Sequence, residues 1–146
     1  MLRDPSLIPL SRQHQHGLAL CVLSRRSLSE DPSTENVAKV AQGVINHYEV
    51  ELVNHFEIEE QVLFPSCGPM PIVEELRGEH RAMERMIEQL RAAPSAERLE
   101  EFFTTLTGHI RREEREFFEE IQRELPREVL DKAGEEIERR VVRVCL

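Results

Sequence analysis

The sequence predicts an all-α protein, an antiparallel up-down-up-down four-helix bundle followed by a short extra C-terminal helix. Its charged side chains are mostly good helix formers, since 25 of the 28 acidic residues are Glu and 17 of the 19 basic residues are Arg. The chain has no Trp and one Tyr, which leaves little of the material typical of sheets. Between prolines and polar clusters lie long segments whose apolar residues recur three and four positions apart, as they do in amphipathic helices.

The predicted helices are separated by breaks at residues 29–34, 65–71, 93–95 and 125–126. These breaks place the five helices at residues 8–28, 35–64, 72–92, 96–124 and 126–142. Ser95 is a suitable N-cap for the fourth helix, and Pro126 suits the first position of the fifth. Because the connections are short, consecutive helices are expected to be antiparallel. We therefore predict a single domain over residues 1–146, with its core bundle at 7–124.

Charge and composition exclude several classes of protein. The formal net charge of −9 argues against a nucleic-acid binder that relies on basic charge. No apolar run approaches the roughly 18 residues of a membrane span, and an aspartate and two prolines interrupt the first ten residues where a signal peptide would be apolar.

The cysteines, Cys21, Cys67 and Cys145, are widely spaced and form no CxxC pair. A reduced, cytoplasmic protein is the simplest interpretation.

Each of the four long helices brings one histidine to its predicted buried face. These histidines are His14, His55, His80 and His109. In the second and fourth helices a glutamate follows one turn later on the same face, Glu59 and Glu113 respectively. Burying two unpaired carboxylates would cost several kcal/mol each, and these faces offer no Arg or Lys to pair with them.

A metal centre is the economical way to compensate the buried carboxylates. Six ligands arriving from four helices suit two cations bridged by carboxylates better than one cation. Imidazole and carboxylate together form a ligand set for iron, manganese or zinc rather than for calcium. The sequence therefore predicts a metal site within the bundle, formed by the four histidines and two glutamates.

Five other polar residues are weighed against these six. His16 lies two positions after the first candidate histidine and points about 160° away from it. Glu84 follows the third candidate histidine by one turn and is either an inward carboxylate or an ordinary exposed residue. Glu60 and Glu114 lie about 140° from the histidines of their own helices, which predicts solvated side chains or a supporting role outside the ligand shell. His47 lies off the main apolar face, so a surface or interface position is expected.

These motifs resemble the hemerythrin-like (HHE cation-binding) domain family. The matching segments are LSRQH at 10–14, HFEIEEQVLFP at 55–65, EH at 79–80 and HIRREEREFF at 109–118. The resemblance spans about residues 7–124 and implies an antiparallel four-helix bundle that holds two non-haem iron ions, bridged by two carboxylates and an oxo or hydroxo group. It implies the same ligands, with His14, His55, His80 and His109 as the one-per-helix histidines and Glu59 and Glu113 as the bridging carboxylates.

One position departs from the oxygen-carrying members of that family, which have HxxxH on the third helix where this chain has His80 and Glu84. The departure points away from simple oxygen carriage and towards members that handle nitric oxide, reactive oxygen or iron itself. We therefore predict a cytoplasmic di-iron protein that binds or reacts with O₂ or NO, as a sensor, scavenger or iron- and gas-handling module, with no nucleic-acid or membrane partner. The alternatives are a di-iron redox enzyme (peroxidase, oxidase or NO reductase-like) and a metal-free helical interaction module. The valines at 141, 142 and 144 provide a candidate homodimer edge.

Overall fold

The computed structural model describes residues 2–144, and all regular structure in that range is helical. The helices are α1 (Ile8–Glu30), α2 (34–67), α3 (Pro71–Ala92), α4 (96–124) and α5 (Arg127–Arg140), and a 3₁₀ turn at Pro5–Leu7, the N-terminal turn, precedes α1. Each predicted boundary lies within three residues of the observed one. The all-α fold class is confirmed.

The helix ends follow the local chemistry of the sequence. Ser95 is the N-cap of α4, because its side chain accepts a hydrogen bond from the backbone N–H of Arg98 at 3.1 Å. Gly68, with φ of +69°, ends α2 in a conformation that favours glycine. Pro126 precedes α5 rather than occupying its first position, because its ψ of 146° is extended and not helical.

Two apolar clusters occupy the core. The first cluster includes Cys21, Val44, Leu52, Met83, Ile87, Leu99, Phe102 and Leu106. The second cluster includes Leu7, Leu10, Ile58, Leu63, Leu76, Phe117, Ile121, Leu130 and Ile137. Along α1 and α3 the residues of the second cluster come first, whereas along α2 and α4 they come last. This alternation favours the up-down-up-down order, which stays a prediction.

Helix α5 covers the side of the bundle where the second cluster lies. Its buried residues are Leu130, Ala133 and Ile137, whereas Lys132 between them is exposed. The helix packs on the N-terminal turn, where Arg127 donates to the carboxylate of Asp4 at 2.6 and 3.0 Å.

The cysteines and the length of the helices bear on two further expectations. Cys21 is buried in the first cluster and Cys67 is half-buried, and both are free thiols. Cys145 lies outside the described residues. Among residues 2–144, no helix has both the length and the apolar character that crossing a bilayer requires.

Two glycine substitutions test the packing of α5. A Cβ at Gly134 would lie 2.6 Å from the Cβ and 2.9 Å from the Cα of Ser6, whereas a Cβ at Gly43 in α2 would meet no atom within 4 Å. Alanine favours a helix over glycine by about 1 kcal/mol. We therefore expect Gly43→Ala to raise the free energy of unfolding, measured by urea denaturation, and Gly134→Ala to lower it by roughly 1–3 kcal/mol through overpacking. Equal stabilisation by both would contradict the contact between α5 and the N-terminal turn.

Candidate metal centre

The six residues predicted as ligands come together between the two apolar clusters. All of them are buried, with exposed fractions between 0 and 4%: His14, His55, Glu59, His80, His109 and Glu113. Four different helices contribute them. Helices α1 and α3 each contribute one histidine, and α2 and α4 each contribute a histidine and the glutamate one helical turn later on the same face. The structure thus brings together all six residues that the sequence singles out.

The cluster consists of two groups that could each hold one metal ion. The first group comprises His14, His55, Glu59 and Glu113, and the second comprises Glu59, His80, His109 and Glu113. Within each group the candidate ligand atoms lie within 4.8 Å of one another. Because both glutamates belong to both groups, the two groups adjoin and share their carboxylates.

The Nε2 atoms of the histidines face the shared carboxylates. His14 Nε2 lies 2.9 Å from Glu113 Oε1, and His80 Nε2 lies 3.1 Å from Glu59 Oε1. Two further Nε2 atoms, of His55 and His109, lie 3.4 and 3.3 Å from the glutamate one turn later in their own helices. All four imidazoles thus present the same ring nitrogen to the interior of the cluster.

The shared glutamates each begin a π-helical turn. Glu59 opens the turn Glu59–Leu63 in α2, and Glu113 opens the turn Glu113–Phe117 in α4. Such turns insert one extra residue into a helix and are frequent at functional sites. Their equivalent positions in α2 and α4 show that the two helices approach the cluster in the same local geometry.

Four buried polar atoms of the cluster have no hydrogen-bond partner. They are Nε2 of His55, Nε2 of His109, Oε2 of Glu59 and Oε2 of Glu113. Leaving a buried polar group unpaired costs about 1–3 kcal/mol, and more for a charged one. Helices α2 and α4 therefore each offer one imidazole nitrogen and one carboxylate oxygen to a cation. Nitrogen and oxygen donors together fit a transition metal.

The protonation states also fit metal binding. Burial lowers the pKa of His109 to about 4 and lowers the pKa of His14, so both imidazoles are neutral at pH 7. Burial alone would raise the pKa of Glu59, but His55 and His80 beside it lower that pKa below its usual range. Neutral imidazoles and an ionised carboxylate are the forms that ligate metals.

Each histidine uses its other ring nitrogen, Nδ1, for a hydrogen bond outside the cluster. Three of the acceptors are carboxylates: His14 Nδ1 donates to Glu114 at 2.6 Å, His80 Nδ1 to Glu60 at 2.7 Å, and His109 Nδ1 to Glu79 at 2.7 Å. The fourth acceptor is a carboxamide, since His55 Nδ1 lies 2.9 Å from Gln13 Oε1. Such partners orient metal-binding histidines and raise their basicity.

An arginine holds each of the three outer carboxylates. Arg3 lies 3.1 Å from Glu114, Arg81 lies 2.7 Å from Glu60, and Arg112 pairs with Glu79. These arginines also compensate the charge of the outer carboxylates, which are themselves partly exposed. An arginine therefore stands behind the Nδ1 partner of three of the four cluster histidines.

Sequence reasoning missed Gln13 and Glu79 as supporting residues and left Glu60 and Glu114 between two roles. In the structure, each of the four lies within hydrogen-bond distance of Nδ1 of a cluster histidine. Gln13 and Glu79 each precede a cluster histidine by one position, and Glu60 and Glu114 each follow a shared glutamate by one position. A residue next to one on the buried face points about 100° away around the helix, towards the adjacent helix. A polar residue directly beside a buried histidine or glutamate is therefore the sequence signal that could have identified them.

The remaining candidates lie outside the cluster. His16 is partly exposed and contacts the buried Glu51 at 2.7 Å. Glu84 is 57% exposed and lies 3.5 Å from Arg81 on the surface of α3. His47 is half-buried and belongs to neither group. The third helix therefore contributes one cluster residue, His80.

Comparison with known families agrees with this geometry. The family model described as Hemerythrin HHE cation binding domain matches residues 9–139. Comparisons with curated proteins and with solved structures gave no match. The matched range covers most of the chain and includes all six cluster residues and all four of their outer partners. The chain therefore belongs to the hemerythrin HHE cation-binding family.

Proposed function

We propose that this protein holds two non-haem iron ions and binds or reacts with O₂ or NO, as a sensor, scavenger or iron- and gas-handling module. One observation carries the proposal: two groups of four buried ligand residues share Glu59 and Glu113. A pair of shared carboxylates places negative charge between two cations and offsets part of their repulsion. Iron is the metal implied by the family, and manganese or zinc would accept the same ligands.

Each metal position would receive two imidazoles and the two shared carboxylates. Four protein ligands leave coordination positions for a small molecule on a metal that takes five or six ligands. Bound iron would supply the redox chemistry towards O₂ or NO that no side chain of this chain offers.

The chain's own residues would orient the ligands and keep the centre dry. Phe56 stacks on His80 with ring centroids 4.0 Å apart, and Phe118 stacks on His14 at 5.5 Å. The two apolar clusters lie on either side of the six residues. The hydrogen bonds at Nδ1 fix the ring planes, so the imidazoles would be prearranged for a metal ion.

Two observations bear on the alternatives. A carboxylate-rich redox enzyme would draw on Glu84 as a further inward carboxylate, but this side chain is 57% exposed and belongs to neither group of ligands. A metal-free interaction module would have to leave four buried polar atoms of the cluster without partners, which costs stability and gains no contact. The metal-binding proposal accounts for these atoms directly.

Location and partners belong to the same proposal. We propose a cytoplasmic protein whose partner is a small diatomic ligand, with no nucleic-acid or membrane partner. A homodimer through the C-terminal valines would use Val142, which is 37% exposed, since Val141 packs against the second cluster of its own chain.

Elemental analysis of the purified chain, produced with iron in the medium, tests the proposal. We expect about two iron ions per chain, as the two groups provide, and a near-ultraviolet ligand-to-iron charge-transfer band. Stopped-flow mixing of the reduced protein with O₂ or NO then separates the roles, since a reversible spectral change indicates binding and an irreversible one indicates redox chemistry. A purified protein with neither metal nor band would overturn the proposal.

A further inference from the structure

The cluster and its supporting residues are arranged in two matching halves. Gln13-His14 in α1 matches Glu79-His80 in α3, and HFEIEE at 55–60 in α2 matches HIRREE at 109–114 in α4. The contacts match as well: the residue before the α1 or α3 histidine reaches Nδ1 of the histidine in the following helix.

The two halves differ at one of these supporting positions. Glu79 is an anion held by Arg112, whereas Gln13 is a neutral carboxamide that is 3% exposed. In place of an arginine, Gln13 has Asn54, since its Nε2 donates to Asn54 Oδ1 at 3.0 Å. Asn54 therefore takes the role that arginines have around the other three histidines.

Asn54 is in turn held by the backbone at the end of helix α5 and directly after it. The backbone N–H of Val142 donates to Asn54 Oδ1 at 3.0 Å, and Asn54 Nδ2 donates to the carbonyl of Arg140 at 2.9 Å.

We call residues 141–144 the C-terminal segment. It lies beside Pro9, Arg12 and Gln13 and lines a cavity of about 200 Å³ with them.

These hydrogen bonds have only one consistent direction. A backbone N–H can only donate and a backbone carbonyl can only accept. The N–H of Val142 in the segment and the carbonyl of Arg140 at the end of α5 therefore fix which end of the Asn54 carboxamide faces each group. Gln13 must then donate to Asn54 Oδ1, and its own Oε1 must face His55. His55 therefore carries its proton on Nδ1, which leaves the Nε2 lone pair directed into the cluster.

We infer that the C-terminal segment is a positioning element of the metal centre, which holds His55 in its metal-binding tautomer through Asn54 and Gln13. The inference rests on the proposed metal binding. It makes the two metal positions unequal, because only the group containing His14 and His55 depends on the segment. Docking of the segment and metal binding at that group are then thermodynamically coupled, each favouring the other by the same factor.

Val142→Pro tests the coupling, with Val142→Ala as its matched control. Proline removes the N–H that Asn54 accepts, and Val141, with φ of −66° and ψ of 129°, already has the extended backbone that precedes proline. Alanine keeps the N–H and shortens the same side chain. In anaerobic titrations with Fe²⁺ alone, we expect Val142→Pro to weaken one of the two binding steps by about 10-fold or more, and Val142→Ala to titrate as the wild-type chain does.

Hydrogen exchange provides a second readout that needs no variant. Because the coupling is reciprocal, loading the wild-type chain with Fe²⁺ should slow exchange of the Val142 amide by a similar factor. This inference would be overturned if Val142→Pro and Val142→Ala bound Fe²⁺ in two steps of the same affinities and if Fe²⁺ left exchange at the Val142 amide unchanged. The proposed function would then still stand. A wild-type chain that binds no Fe²⁺ would overturn the proposed function and this inference with it.

Discussion

Glu59→Gln is expected to remove metal from both positions of the centre, whereas His80→Gln is expected to remove it from one. The reason is that Glu59 belongs to both groups of ligands and His80 to one of them. Glutamine keeps the size of the glutamate side chain but lacks the charge, so affinity at both positions should fall by roughly 100-fold or more, beyond the loss that a supporting residue causes. Elemental analysis and anaerobic Fe²⁺ titration measure the number of ions per chain.

The matched control for this substitution is Glu84→Gln. Glu84 lies one turn after His80, yet it is 57% exposed and contacts Arg81 on the surface. The same chemical change there should leave both metal positions filled. If Glu59→Gln kept both ions, or if Glu84→Gln lost metal, Glu59 would not be a carboxylate that both metal positions share.

The behaviour of Glu84 also shows how far the sequence could lead. Its spacing from His80 equals the spacing of Glu59 from His55, so periodicity alone left it between an inward and an exposed position. The outcome depends on packing. Glu84 lies 3.5 Å from Arg81 at the surface of its own helix, whereas Glu59 lies 3.1 Å from His80 of another helix. These contacts, which the spacing does not show, distinguish the inward glutamate from the exposed one.

The six cluster residues were predictable because they interrupt otherwise apolar faces. An imidazole or carboxylate in line with leucines and phenylalanines is visible in one dimension, since the helical period is fixed. Gln13 and Asn54 were not visible in this way. Gln13 matters through its contact with His55, 42 positions away along the chain. Asn54 matters through its contacts with the backbone at Arg140 and Val142, 86 and 88 positions away.

Removing metal from the loaded protein with a chelator is expected to lower its thermal midpoint by about 10 °C or more. A ligand present at 1,000 times its Kd stabilises the folded state by about 4 kcal/mol, and each kcal/mol shifts the midpoint of a chain this size by about 2–4 °C. The structural reason is the set of unpaired atoms, two of them carboxylate oxygens of Glu59 and Glu113, which bound metal would satisfy. Differential scanning calorimetry with and without chelator measures the shift.

The double variant Glu59→Gln and Glu113→Gln separates this effect from a direct action of the chelator. Carboxamides in both shared positions remove the negative charge that would hold two cations, so the thermal midpoint of the variant should not respond to chelator. A metal-free interaction module makes the opposite prediction for the original chain, since its midpoint would be independent of chelator and relief of two buried charges would leave the variant equally or more stable. The metal-binding account expects the variant to be less stable than the metal-loaded original chain and expects a chelator effect in the original chain. The metal-free account expects neither result, so the pair of measurements decides between them.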